Sequence, residues 1–299
     1  MEAKTENLYN HVDFLTSIFP YRNYKNIESL QKTATYIEKR LKEMGLPTAR
    51  QKWEAKGNIY ENVIATYQSQ KSKRFIIGAH YDVYKEIAGA DDNASSVAGL
   101  LEISRMLAES SLTLDYGIDF VFFCLEEPPF FKTDKMGSYI HANSIAKTNK
   151  NYIGMIALEM IGYYRENKIK DENNSFHKNQ LIVSGIKRFD LFNRKISQLL
   201  KANGTMDSRR ISFAEHYPNN GPSDHRNYWQ FNIPAVMVIG TGGEGNPNYH
   251  TATDTIETLD FEIMTNVVTR SNFSYANECF WDFYIVLHYS LRILMKLRS

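Results

Sequence analysis

Cysteine is scarce in this chain, with only Cys124 and Cys279 among 299 residues. Cys124 lies in an apolar, strand-like run and Cys279 in a stretch expected to be helical; neither belongs to a Cys-x-x-Cys pair. Two buried free thiols in a reducing compartment are expected, rather than a disulfide. Long hydrophobic runs are missing as well. The longest uncharged apolar stretches are of strand length, far short of the roughly 20 residues a bilayer demands, so no membrane partner is expected. Neither sign of charge is in excess, with 35 Lys plus Arg against 34 Asp plus Glu. No global field therefore favours nucleic acid or an anionic membrane surface. The opening MEAKTENLYNHVDF has no basic segment followed by an apolar one. No secretory signal is read there and a cytoplasmic location is expected, with a secreted mature form left open. Internal repeats, low-complexity tracts and linkers are lacking too, which leads to the expectation of one domain over residues 1–299.

What is present is ample material for a core: 43% of the residues are apolar and 13% aromatic. Leu30, Ala34, Ile37, Leu41 and Met44 recur at steps of four and three, one stripe of a helix that Gly45 and Pro47 close. Strands are read at 62–67, 74–80, 118–125, 152–161, 180–185 and 233–241. Helices are read at 94–109, 134–148 and 189–204, and a helical tail at about 261–297 with a break near 271–274. The polar stretch 165–179 reads as a surface excursion. Apolar strands alternating with helices predict an α/β fold, a mostly parallel sheet covered on both faces. In such sheets function gathers beyond the carboxyl ends of the strands.

The residues at those ends are unusual. His80, Tyr81 and Asp82 follow one strand, and GADDNASS (89–96) precedes the next helix. Glu126 and Glu127 end the strand 118–125 and are followed by two prolines, which are expected to turn the chain away and leave the sheet rim open. Glu159 stands in an otherwise apolar strand, SDH (223–225) precedes the last strand, and NYHTATDT (248–255) precedes the tail. Each has a plain structural use: Asp92 as a helix N-cap, His80 as a core histidine satisfied by Asp82, the glutamates as solvated strand ends. Glu159 fits that account least, because an unpaired buried carboxylate costs several kcal/mol. Together, two imidazoles and three carboxylates form a set able to hold two divalent ions with one carboxylate bridging. Against two dications, three carboxylates leave a net charge of about +1, suited to stabilising a bound hydroxide.

In order, His-x-Asp, GADDNAS, Glu-Glu, EMIG, SDH and YHT resemble the M28 metallopeptidases, zinc aminopeptidases of the bacterial leucyl and aminopeptidase Y type, over about residues 28–260. The resemblance implies a zinc-exopeptidase (phosphorylase/hydrolase-like) fold, with a single mixed, mostly parallel sheet sandwiched by helices. An N-terminal helical segment (about 1–45), a catalytic core (about 58–260) and a C-terminal helical segment (about 261–299) would make it up. It implies two divalent ions, zinc in that family. His80 and Glu159 resemble the terminal ligands of one ion, Glu127 and His250 those of the other, and Asp92 the bridge. Glu126 resembles the general base acting on a metal-bridging hydroxide, Asp82 the carboxylate that orients His80, and Tyr249 the donor to the oxyanion. The implied substrate is a peptide with a free N-terminus.

Three departures from the family pattern stand out. Glu159 occupies a position where many members have Asp, Ser95-Ser96 stands for Ser-Gly, and PPFFKTDKMGS (128–138) is longer and more aromatic than the usual turn. Phe130 and Phe131 are read either as lining a substrate pocket or as packing that loop. A glutaminyl cyclase is the alternative enzyme, since HTATDTIETLD (250–260) is close to its tail motif. That group typically has Trp where Tyr249 stands and Asp at the position of Glu159. A non-catalytic binding relative is a further alternative, although all five ligand positions carry competent donors.

Overall fold

A computed structural model describes residues 2–110, 112–164, 180–202, 207–217, 220–241 and 245–270. The chain opens with helix α1 (Thr5–Thr16), which buries Leu8, Val12 and Leu15 along one stripe. Helix α2 (Ile27–Glu43) follows, burying Leu30, Ala34, Ile37 and Leu41 as the spacing predicts. Strands β1 (Thr48–Ala55), β2 (Asn58–Tyr67) and β3 (Lys73–His80) come next, then α3 (Ser96–Ser110), β4 (Gly117–Phe123), α4 (Gly137–Ile145) and β5 (Asn151–Glu159). The rest comprises β6 (Gln180–Ile186), α5 (Asp190–Ala202), β7 (Asp207–Phe213), the short α6 (Arg226–Trp229), β8 (Ala235–Ile239) and α7 (Phe261–Arg270).

All eight strands form one mixed sheet in the order β1-β2-β4-β3-β5-β8-β6-β7. Its centre is parallel: β4 with β3, β3 with β5 and β5 with β8. The antiparallel pairs are β1 with β2, β2 with β4 and β6 with β8, while β6 and β7 run parallel. Successive side chains of β3 and β4 enter two cores, as the period of two in a strand requires. Phe75, Ile77, Ile118, Phe120 and Phe122 join the core formed with α1, α2, α3 and α7, whereas Ile76, Val121 and Phe123 face Ala142, Ile145, Tyr228 and Trp229 of α4 and α6. Burial on both faces explains why these strands read as continuous apolar runs.

Two strands escape a reading by hydropathy. β1 alternates half-buried and exposed positions with sequence TARQKWEA, and β7 reads DSRRISF; both lie at the edges of the sheet. The helix expected from 94 starts at Ser96, behind an irregular turn over Ala90–Ser95. In that turn Asp92 has φ −105° and ψ 90°, and its carboxylate is turned to His80 and His250, so Asp92 is not an ordinary N-cap. Among the described residues no helix is long and apolar enough to cross a membrane. The excursion at 165–179, the tail beyond 270 and Cys279 lie outside the described residues; Cys124 is a buried free thiol.

Candidate metal centre and active site

Register brings the carboxyl ends of the central strands to one rim, with His80 on β3 opposite Phe123 on β4 and Glu159 on β5 opposite Ile239 on β8. Beyond β4 the chain turns through Leu125 at φ +64°, and beyond β5 through Met160 at φ +45°. Non-glycine residues in this left-handed region carry a cost of order 1 kcal/mol, sustained by the surrounding bonds. Met160 N donates to Asn93 Oδ1 at 3.0 Å. The Asp82 carboxylate accepts from the amides of both Glu126 and Glu127, each at 3.1 Å, and so fixes the paired glutamates from behind. His80 Nδ1 meets the Asp82 backbone carbonyl at 3.1 Å, with the carboxylate at 3.6 Å. Asp82 thus reaches His80 mainly through its main chain, and its side chain serves the glutamates.

Asp92 is the centre of the cluster. Its Oδ1 is 3.4 Å from His80 Nε2 and its Oδ2 is 3.0 Å from His250 Nε2. Glu159 Oε1 lies 3.3 Å from His80 Nε2, and Glu127 Oε1 lies 3.3 Å from His250 Nε2. Three donor sets are close enough to hold an ion: His80–Asp92–Glu159 and Asp92–Glu127–His250, which share Asp92, and His80–Glu126–Glu127. Glu126 Oε2 stands farther off, 3.9 Å from His80 Nε2. Glu159 Oε2 accepts from Ser223 Oγ at 2.6 Å.

The electrostatics call for cations. Asp92, Glu126, Glu127, Glu159 and Asp224 are all buried, against the imidazoles of His80 and His250. Burial raises Glu127 to about 8, with Asp92 adding to the rise against the pull of His250. Burial also pushes Glu126 well above the usual carboxylate range; His80 opposes this and Glu127 and Asp224 add to it. For Asp92 burial acts the same way, but bonds to His250 and His80 outweigh it and leave the group strongly acidic. Burial would lower His250, yet Asp92 and Glu127 lift it to about 10. His80 follows the same pattern, burial opposed and overcome by Glu159 and Glu126. Glu127 Oε1 is enclosed, within ion-pair distance of His250 but without a hydrogen-bond partner, and both Asp224 oxygens are enclosed and unpartnered among the described residues. Imidazole nitrogen and carboxylate oxygen converging in an acidic, buried cluster is a donor set that suits zinc. The residues present therefore fit a pair of divalent ions.

Several contributors have no local signal in the sequence. The His250 ring is stacked between Tyr84, at 4.0 Å and 8°, and Tyr249, at 3.8 Å and 23°. Tyr249 is 40% exposed and faces solvent at the rim. Asp254 accepts from the amides of Asp91 and Asp92, and Asp91 accepts from Gly162 N, Tyr163 N and Asn246 Nδ2. Ser223 and Asp254 sit in motifs that stand out in the sequence, but only the fold tells which atoms they hold. The aromatic pair after the prolines divides its roles: Phe130 is buried against Tyr24 and Tyr60, and half-buried Phe131 carries the Arg226 guanidinium above its ring. Pro128 and Pro129 are exposed and end the strand direction beside the site.

A sequence profile of peptidase family M28 matches residues 62–271. A protein of Escherichia coli (strain K12), named uncharacterized protein YfbL, is 34% identical over 283 residues, covering 89% of this chain and 86% of its own. Leucine aminopeptidase 1 of Ajellomyces dermatitidis is 28% identical over 282 residues, covering 88% of this chain and 68% of its own. Among solved structures, the glutaminyl cyclase of Bacteroides thetaiotaomicron superposes with a TM-score of 0.73 at 21% identity, covering 91% of this chain and 97% of that one. A Zn-dependent exopeptidase of Parabacteroides distasonis gives a TM-score of 0.70 at 20% identity, covering 91% and 98%. At such identities the structural likeness concerns the fold.

Proposed function

Because this chain belongs to peptidase family M28, we propose that it is an aminopeptidase that holds two divalent ions, zinc by preference, and releases N-terminal residues from peptides. The observation that supports this most is the division of the Asp92 carboxylate between His80 and His250 at 3.4 and 3.0 Å, each imidazole having its own glutamate beside it. One ion would be held by His80, Glu159 and Asp92, the other by His250, Glu127 and Asp92. Ions held there would act as Lewis acids on the scissile carbonyl and make water acidic enough to attack at neutral pH.

The remaining roles belong to the chain's own groups. Glu126 Oε2 is 3.9 Å from His80 Nε2, farther than the carboxylates assigned to the ions, which supports keeping Glu126 for proton transfer. Its burial makes it a stronger base than an exposed glutamate, so it takes the proton of the attacking water at a carboxylate oxygen and returns it to the leaving amine. Tyr249, at the rim beside His250, offers its hydroxyl to the oxygen on which charge develops. Asp82 keeps Glu126 and Glu127 in place through their amides. The buried carboxylates around Glu126 form the negative surroundings that a peptide's free ammonium group prefers.

The test is Glu126→Gln in protein loaded with zinc. Turnover of leucine amides should fall by about 10³-fold or more, while elemental analysis still finds two metal equivalents. A variant that keeps near-full activity removes Glu126 from the mechanism. The same panel includes a peptide with N-terminal glutamine, followed by mass spectrometry: residue loss supports the aminopeptidase, whereas ammonia loss alone would make the chain a cyclase. Absence of stoichiometric metal in protein purified without chelator would point to the binding relative.

A further inference from the structure

Arg226 opens α6, two residues after Asp224 and three after Ser223, whose hydroxyl holds Glu159. Its guanidinium carbon lies 5.6 Å from the centre of the Phe131 ring, and Phe131 is four residues beyond Glu127. This cation therefore stands where the 126–131 turn and the 223–226 segment meet. Its Nη1 is enclosed and has no hydrogen-bond partner among the described residues.

The contrast with other arginines is sharp. Arg74 is paired with Asp119, Arg50 with Glu38 and Glu61, Arg105 with Glu102 and Glu109, and buried Arg22 donates to main-chain carbonyls. Arg226 has no ion pair among the described residues. An enclosed donor without an acceptor is unfavourable, and the cost disappears when an acceptor arrives. A guanidinium fork matches the two oxygens of a carboxylate. Such a cation would offset, for an acidic substrate, the repulsion of Glu126 and Asp224, buried acids outside the assigned ion ligands.

We propose that Arg226 is a specificity-determining residue that recognises a substrate carboxylate next to the scissile bond. That carboxylate has two possible sources, the acidic side chain of an N-terminal Glu or Asp, or the terminal carboxylate of a dipeptide. Exposed Lys132, whose ammonium lies 5.3 Å from the same Phe131 ring, adds positive charge at the mouth. The inference rests on the exopeptidase reading, since the carboxylate belongs to the end of a peptide.

The experiment compares the zinc-loaded wild type with Arg226→Gln and Arg226→Lys. Glutamyl- and glutaminyl-p-nitroanilide form one substrate pair, and Leu-Ala and its C-terminal amide form the other. The wild type is expected to favour the carboxylate-bearing member of one pair by about 10-fold to 100-fold in kcat/KM, mainly through KM, the range of a charge-assisted contact. In Arg226→Gln that ratio falls to about one, and Arg226→Lys, which keeps the charge and loses the fork, retains part of it. The pair that responds identifies the source of the carboxylate. Equal ratios in wild type and Arg226→Gln, or no preference in the wild type, overturn the proposal. If the wild type turns over none of these compounds, the exopeptidase reading fails separately. Calorimetric binding of L-glutamate against L-glutamine, and of Leu-Ala against its amide, then decides the role of Arg226 by the same ratio.

Discussion

Asp254 is far from Asp92 in sequence, yet its one carboxylate grips the backbone on which Asp92 stands. Oδ1 accepts from Asp91 N at 2.8 Å and Oδ2 from Asp92 N at 3.1 Å, and the Asp254 carbonyl accepts from Ala90 N at 3.3 Å. Those bonds hold a turn whose φ and ψ at Asp92 and Asn93 are not helical. Asp254→Ala should therefore lower zinc affinity by about 10-fold to 100-fold, the usual effect of removing a group that positions a ligand. Asp254→Asn keeps one acceptor oxygen and should lose less. Zinc titration of the metal-free protein checks both, and a wild-type affinity in the alanine variant would mean the turn holds itself. At this scale the sequence was informative where chemistry departs from its surroundings. A glutamate in an apolar strand, or paired acids after one, is conspicuous, and His80, Asp92, Glu126, Glu127, Glu159 and His250 do converge within a few ångströms. Tyr84 stacked on His250, or Ser223 bonded to Glu159, was not legible, because those contacts join segments 166 and 64 positions apart that carry no shared local pattern.

The connection between α1 and α2 is locked to the loop that follows β3. Arg22, fully buried, donates from Nε to the Tyr81 carbonyl and from Nη2 to the Gly89 carbonyl, both at 3.1 Å, and from Nη1 to the Leu15 carbonyl. In return the Arg22 carbonyl accepts from Val83 N at 3.1 Å, and Asn23 Nδ2 donates to the Lys85 carbonyl at 2.7 Å and to Glu86 at 2.8 Å. Arg22→Met would strip the Tyr81 carbonyl of its guanidinium donor, while the Gly89 carbonyl keeps Ala94 N and the Leu15 carbonyl keeps Ile18 N, at a cost of about 1–3 kcal/mol. The melting temperature and zinc affinity should fall together, since the same loop leads from His80 to Asp92. Unchanged zinc affinity in a destabilised variant would show that the loop keeps its shape without the helical connection. Elements were legible to the degree that both their faces are buried. β3, β4, β5 and β8 are apolar along most of their length and could be found from hydropathy, as could the stripe of α2. β1 and β7 are edge strands whose polar residues face water, and their pairing is set by neighbours on the sheet rather than by their own composition.

At the scale of the molecule, three described histidines outside the candidate metal centre are buried in the neutral form, His11 against α2 and His141 and His225 against the α6 segment. His11 on α1 shares a hydrogen with the Tyr36 hydroxyl at 2.7 Å, His141 on α4 does so with Tyr228 at 2.7 Å, and His225, just before α6, rests edge-on against Trp229. Burial lowers His11 to about 4, with Arg40 adding to the effect and Glu102 opposing it. Burial lowers His141 to about 4 against the pull of Asp119, and lowers His225 to about 3, where Arg226 adds its repulsion. An unfolded histidine takes up its proton near 6.5, and the folded ones resist until the pH is far lower. Between those values the unfolded state binds more protons, so this part of the stability is present above about pH 6.5 and is lost as pH falls toward 4. His225 isolates the effect, because neither ring nitrogen has a partner among the described residues and phenylalanine matches its shape. His225→Phe should gain on the wild type by about 2 kcal/mol between pH 7 and pH 5, from about 1.4 kcal/mol for each pH unit below 6.5. Urea unfolding of both proteins over that range measures the difference. A stability gap that stays constant with pH would mean that His225 takes up its proton as readily in the folded protein as in the unfolded one.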